Sequence, residues 1–182
     1  MKKIISILLV AGAAASLSIT VNAATDAAKD SYKATKDTAD ATYKTARAHC
    51  DSMAGNDKDV CSEDAKAART RAKAEAEAQY KNTDKARADA RKEIANADYD
   101  VAKAKCDSKK GNDKDVCMKE AKAAQVAATA NAKADKKVTE ARKDANEDKR
   151  EAAYKVAREK CDSMAGQNKD ACMSDAKARF NK

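Results

Sequence analysis

One pattern of tyrosine, cysteine and glycine occurs three times in this chain and constrains its fold more than any other feature. In each copy a cysteine follows the tyrosine by seven residues, a glycine follows that cysteine by five, and a second cysteine follows the glycine by six. The copies are Tyr43, Cys50, Gly55 and Cys61; Tyr99, Cys106, Gly111 and Cys117; and Tyr154, Cys161, Gly166 and Cys172. Identical spacing, repeated at steps of about 55 residues, predicts one structural unit used three times.

The residues around each glycine predict a helix, a turn and a second helix. Lysine, arginine or histidine precedes each turn, where a cation complements the negative end of a helix dipole. The three glycines suit the left-handed conformation that ends many helices. The candidate N-caps of the following helices are Asp57, Asp113 and Asn168. An aspartate after each first cysteine does not suit the dipole of its own helix and could instead face the start of the next helix, which the sequence alone does not show; these residues are Asp51, Asp107 and Asp162.

The composition favours long helices over a large globular core. Proline is absent, and no leucine follows Leu17, so most apolar side chains beyond it are alanines, which bury little area. We therefore expect an all-α protein, an elongated antiparallel bundle of about four helices covering about 26–54, 58–110, 114–165 and 169–180. A break of the second helix at Asn82, Thr83 and Asp84, which could cap a new helix, stays open. In this view 24–182 is a single helical region with hairpin repeats at about 30–80, 88–134 and 144–182.

The cysteines predict a disulfide across each turn. In an antiparallel hairpin, residues at similar distances from the turn face each other, which pairs Cys50 with Cys61, Cys106 with Cys117, and Cys161 with Cys172. Each bond closes a short loop and contributes about 2 to 3 kcal/mol. Metal binding is the alternative, but zinc ligands are usually two to four residues apart, and His49 is the only histidine. We expect no metal and no cofactor. The repeated tyrosines are interpreted as hairpin packing, with a ligand-stacking row as the alternative.

The N-terminal segment 1–23 predicts export. Lys2 and Lys3 precede an apolar stretch over 4–17, and small residues end at Ala23, which together resemble a secretory signal cleaved after Ala23. An uncleaved anchor is the alternative. Removal of Lys2 and Lys3 lowers the formal net charge from +8 to +6. The expected location is an oxidising space such as a bacterial periplasm, with no stable membrane insertion after cleavage.

No catalytic constellation is recognisable in the sequence, so we expect no enzyme activity. The leading interpretation is a structural or interaction scaffold of the cell envelope, with an unspecified protein partner and an oligomeric state that the sequence does not predict. A periplasmic stress holdase is the first alternative. Weak binding to polyanions or the envelope surface is the second; nucleic acid is not expected, because lysines and arginines alternate with acidic residues along the helices.

The repeated Cys-Asp, mid-loop glycine and Lys-Asp-x-Cys resemble a family of small exported Ala/Lys-rich helical proteins of proteobacteria. A further shared feature is Glu-Ala-Lys-Ala after the second cysteine, present here at 120–123 and, with aspartate first, at 64–67 and 175–178. Some of these proteins are labelled TolA-like, which reflects helix composition. The resemblance covers nearly all of the chain after the signal and implies export and helicity.

Overall fold

The computed structural model describes residues 21–182, with side chains from Asp26 onward. These residues form five α-helices: α1 Val21–Cys50, α2 Gly55–Lys81, α3 Asp84–Cys106, α4 Gly111–Asp162 and α5 Gly166–Phe180. The chain is therefore all-helical as predicted, with five helices rather than four over the described residues. None of these helices contains a stretch long and apolar enough to cross a membrane. Most of the predicted signal lies in residues 1–20, outside the described part of the chain.

The second predicted helix breaks at Asn82 and Thr83, so the continuous helix over 58–110 is wrong and the alternative break is confirmed. Asn82 ends α2 in the left-handed conformation, with φ of 46°, and its amide donates to the carbonyl of Ala78. Thr83 then caps α3, because its hydroxyl accepts a hydrogen bond of 3.1 Å from the amide of Ala86. A left-handed asparagine followed by a threonine cap satisfies backbone groups that an interrupted helix leaves unpaired.

Each of the three glycines adopts a positive φ, between 55° and 59°, and is the first residue of the following helix. The residues before them are extended N-caps without a side-chain hydrogen bond; they are Ala54, Lys110 and Ala165. The predicted caps Asp57, Asp113 and Asn168 are therefore wrong, because each helix has already begun at the glycine. Asp57 and Asp113 instead lie in first turns, where a negative charge complements the helix dipole.

Alanine dominates the interior. Within residues 21–182 each helix contacts only the helices next to it in the chain. Apart from Val101 and the first cysteine of each turn, every buried apolar residue described is an alanine. The central cluster contains Ala74, Ala78 and Ala90, with Ile94 packed against it. Such small side chains allow close helix approach but bury little apolar area, so the disulfides contribute a large share of the stability.

The longest helix, α4, has 52 residues and two different neighbours. Its first part contacts α3 as far as Lys143, whose ammonium donates a hydrogen bond to the carboxylate of Asp84 at the start of α3. Its last part contacts α5, whose terminal Phe180 lies against Tyr154. Between them, every residue of 141–150 is exposed. A helix that is polar on all sides is typical of a solvent-bridging connection.

Candidate functional site: three clamped turns and an alanine groove

The three turns are closed by the predicted disulfides. Cys50 bonds Cys61, Cys106 bonds Cys117, and Cys161 bonds Cys172, with Cα–Cα distances of 5.5, 5.7 and 5.6 Å. The first cysteine of each pair is at most 1% exposed. Each bond joins the last turn of one helix to the second turn of the next, because the glycine reverses the chain within a few residues. The turns are thus one covalent unit built three times.

An ion pair spans each turn and gives the unexplained aspartates their partners. The carboxylate of Asp51 lies 3.2 Å from the ammonium of Lys58. The equivalent ion pairs are Asp107 with Lys114 at 2.8 Å and Asp162 with Lys169 at 2.9 Å. These side chains are 39 to 57% exposed, so solvent screens each pair and its contribution to stability is small. Lys169 also lowers the pKa of the Asp162 carboxyl. The sequence signal that was missed is a lysine three residues after every glycine of these turns.

A serine hydroxyl completes each turn. In all three copies it donates to the carbonyl three residues earlier, at distances of 2.7, 3.0 and 2.8 Å; the donors are Ser52, Ser108 and Ser163. These carbonyls belong to the last turn of a helix, where the regular helical amide partners are missing; that of His49 also accepts from the amide of Ser52, at 3.1 Å. The disulfide, the ion pair and the serine therefore fix the turn through three different interactions.

The repeated tyrosines lie in the hairpins and are partly buried. The guanidinium of Arg69 lies 5.0 Å from the Tyr43 ring, and the Lys122 ammonium lies 5.2 Å from the Tyr99 ring. Tyr154 instead contacts Phe180, at 6.0 Å between centroids. Each tyrosine thus meets a side chain of the next helix in its hairpin, which supports packing over a ligand-stacking row. An aromatic neighbour in the third copy was not expected.

An open groove of about 410 Å³ runs between α1 and α2, and sequence reasoning did not identify it. Its lining combines alanines of both helices with the threonines of α1 and the ring of Tyr43. At its edge, Asp40 accepts hydrogen bonds from Lys73, at 2.8 Å, and from Arg69. Lys73 and then Arg69 hold the pKa of the Asp40 carboxyl below its ordinary value. The groove is therefore apolar at its base and charged at one rim.

The described side chains offer no arrangement for holding a metal. Over 21–182, no three histidine, cysteine or acidic side chains lie close enough together to bind an ion. All six cysteines are in disulfides, so none is available as a thiolate ligand or nucleophile. The surfaces that the described residues offer to another molecule are the groove, the ion-paired turns and the exposed helix faces.

Comparisons with protein-family models, with curated proteins and with solved structures give no match.

Proposed function

We propose that this protein is an exported, non-enzymatic scaffold of the cell envelope, located in the periplasm after cleavage near Ala23. It acts as an elongated spacer in which helices, each antiparallel to the one before it, are held in a row by disulfide-closed turns. Its two ends present surfaces to other envelope components.

The antiparallel arrangement is supported by the order of contacts between α1 and α2. Moving from the turn along α1, Cys50 meets Cys61, Asp40 meets Lys73, and Tyr32 stacks on Tyr80 with centroids 4.9 Å apart. Residue numbers fall on one helix as they rise on the other. An elongated shape is supported by the length of α4, whose 52 residues span about 78 Å at 1.5 Å per residue.

The observation that carries the spacer proposal is the exposed stretch 141–150 of α4. It separates a larger unit, in which α1, α2, α3 and the first part of α4 pack, from the smaller α4–α5 hairpin. Eight of its ten residues are polar or charged, as expected for a segment that packs against no other helix of its own chain. In this proposal the function of 141–150 depends on its length, which separates the two units, and not on any one of its side chains.

Two further observations support the proposed location. Three disulfides in a chain without free cysteines in its described part are typical of oxidising compartments. The basic, apolar and small-residue sequence of 1–23 is typical of secretory signals. Fractionation of cells with thiol labelling tests both: we expect a periplasmic chain without reactive thiols, and a cytoplasmic, labelled chain would contradict the proposal.

The spacer role is tested by shortening α4. Photo-crosslinking side chains are placed at Lys33, in the larger unit, and at Lys177, in α5, and adducts are collected from intact cells. Deletion of 141–151 removes about three helical turns, which keeps the faces in register. We expect adducts from both positions in the native chain and loss of one set after deletion. The control keeps the length but replaces Asn146 and Asp148 by alanine; unchanged adducts after deletion, or none in the native chain, would refute the role.

The groove favours a second candidate, a holdase that binds apolar segments of unfolded proteins. The variant Ala68→Glu introduces a charge into the groove, whereas Ala48→Glu changes an exposed residue of α1 that does not line it. A holdase predicts that the native chain and the second variant suppress aggregation of a denatured test protein, while the first does not. Equal aggregation with and without the chain would exclude this activity.

A further inference from the structure

Both neighbours of α4 lie on the same side of it. The contacts to α3 include Cys117 and Gln125, and those to α5 include Tyr154 and Cys161. At 100° per residue these four positions project within about 100° of one another. The buried Ala132 projects between them. The opposite face of α4 is therefore not covered by any other described helix.

That opposite face carries an exposed and mostly apolar stripe along nearly the whole helix. Val116, Val138 and Val156 are 45, 48 and 56% exposed, although valine is an apolar residue. The stripe consists of two evenly spaced series: Val116, Ala127 and Val138, and Ala134, Ala145 and Val156. Successive members of a series are about three helical turns apart, so all six side chains share one face within about 40°. We call this face the valine stripe; it is about 60 Å long.

One flank of the valine stripe changes charge along its length. Asp113 lies on it near the start of α4, whereas Arg142 and Lys149 lie on it in the second half; Glu120 projects in the same direction as Val138 and adds a negative charge at the stripe itself. Among residues 21–182, none of these four side chains makes an ion pair, whereas charges on the covered side do, as in Asp135 with Arg91.

The other flank has the reverse order. Its second half includes Lys155, which is already paired with Glu151 of the same helix at 3.1 Å. Of the other charges, Lys119 and Lys137 lie in its first half, and Asp144 and Asp148 in its second half. These four also have no ion-pair partner in the part of the chain that the structure describes, although Lys136, beside Lys137, pairs with Glu140 at 2.9 Å. The stripe is thus bordered by two acidic and two basic segments placed diagonally.

We propose that the valine stripe is a self-association surface whose occupant is the α4 stripe of a second copy of this chain. In a two-fold antiparallel pair each flank meets itself reversed, which brings Glu120 toward Lys149 of the second copy. In a parallel pair the two different flanks meet at equal height, which again places acid against base. Opposite charges therefore face each other in both two-fold arrangements. Such charge complementarity favours a second copy of this chain as the partner.

The dimensions fit a stable pair. A contact about 60 Å long and one helix wide, about 10 Å, buries about 600 Å² on each copy. The total of about 1,200 Å² exceeds the roughly 1,000 Å² expected of a specific interface. Neither α3 nor α5 obstructs it, because both lie on the far side of α4.

The test measures the mass of the exported, disulfide-intact chain by sedimentation equilibrium up to about 100 µM, together with its Val138→Glu variant. In a dimer of this variant each copy carries one new glutamate in its stripe, and burying it costs free energy. We therefore expect a dissociation constant about 100-fold higher than that of the native dimer. Val126→Glu is the comparison variant: this valine is 53% exposed on the same helix but projects about 100° from the stripe, in the direction of Asp144 at its border, and its dimer should weaken much less than that of Val138→Glu. Circular dichroism checks that both variants keep native helicity.

A crosslink provides an independent readout. In a parallel pair Val138 lies beside Val138 of the second copy, and in the antiparallel pair that joins Glu120 to Lys149 it is Ala134 that lies beside its own counterpart. Either Val138→Cys or Ala134→Cys should therefore form a covalent dimer on mild oxidation, according to the orientation, and Val126→Cys should not. A native chain that stays monomeric at about 100 µM overturns the proposal. A dimer that persists in the Val138→Glu variant also overturns the proposal. A dimer that is broken only by Thr38→Glu overturns it as well, because the contact would then lie on α1.

Discussion

Removal of the third disulfide should release α5 while the rest of the chain stays folded. The variant Cys161→Ala with Cys172→Ala tests this directly. Helix α5 contacts only α4 among the described helices, and Ala176 is its one buried residue. The remaining contacts are Tyr154 with Phe180 and the exposed ion pair of the turn. A helix of 15 residues with so little packing is marginal in water.

The magnitude follows from the loop that the bond closes. A sequence separation of 11 gives a closed loop of about 12 residues, for which the chain-entropy relation yields about 2.8 kcal/mol at 25 °C. A loss of that size raises the population of released α5 about 100-fold. Full release also removes about a tenth of the helical ellipticity, because α5 supplies 15 of the helical residues.

The assay is hydrogen exchange of the α5 amides, read by mass spectrometry without reductant. The matched control is Cys50→Ala with Cys61→Ala, which opens a loop of the same length. There the stack of Tyr32 on Tyr80 and the other contacts between α1 and α2 hold the hairpin, so α1 should stay protected under the same conditions. Protection of α5 within about threefold of the native value would refute the reasoning, as would equal loss of protection in α1.

Three further perturbations test other parts of the fold. Thr83→Ala removes the α3 cap and should lower the free energy of unfolding by about 1 kcal/mol in urea titrations, whereas Thr45→Ala, at an exposed position within α1, should not. Gly111→Ala should cost about 1 kcal/mol from its positive φ alone, because the added Cβ meets no atom within 4 Å; Gly111→Asn should cost less, since asparagine adopts such angles at two other positions here, and equal costs would contradict this. Lys73 lowers the pKa of Asp40, so the stabilisation by Asp40 is present above its unfolded pKa of about 3.9 and is lost as pH falls through the lower folded value. In Lys73→Met we expect the Asp40 pKa, followed by NMR, to rise and the melting temperature to depend less on pH below about 4; an unchanged pKa would contradict the assignment.

The disulfide pairing was predictable because three copies of one spacing leave a single consistent solution for six cysteines. The helical class was predictable for a similar reason, since alanine, lysine and the absence of proline all favour the same state. Where two local preferences competed, the sequence did not decide. The stretch around Asn82 lies between strong helix formers, and only the left-handed backbone of Asn82 and the hydroxyl bond of Thr83 establish the break.

Two features of the candidate site depend on geometry that sequence patterns do not contain. The N-caps were assigned to Asp57, Asp113 and Asn168 because such residues usually cap helices, but a glycine with positive φ starts each helix two residues earlier. The groove between α1 and α2 was missed because alanine and threonine fit equally well on a packed face and on an open one. Whether such a face is covered depends on how each turn orients the helix that follows it.

The exposed stretch of α4 also works as a lever. Beyond Lys143, this stretch contacts no other helix of the chain in the described residues, so a small bend there turns the entire third hairpin as one rigid arm. From Lys143 to Cys161 that arm is about 27 Å long at 1.5 Å per residue. A curvature of about 10°, which long helices commonly show, moves the far disulfide by about 5 Å. The tip of the molecule can thus adjust to an uneven surface with every backbone hydrogen bond of the helix intact.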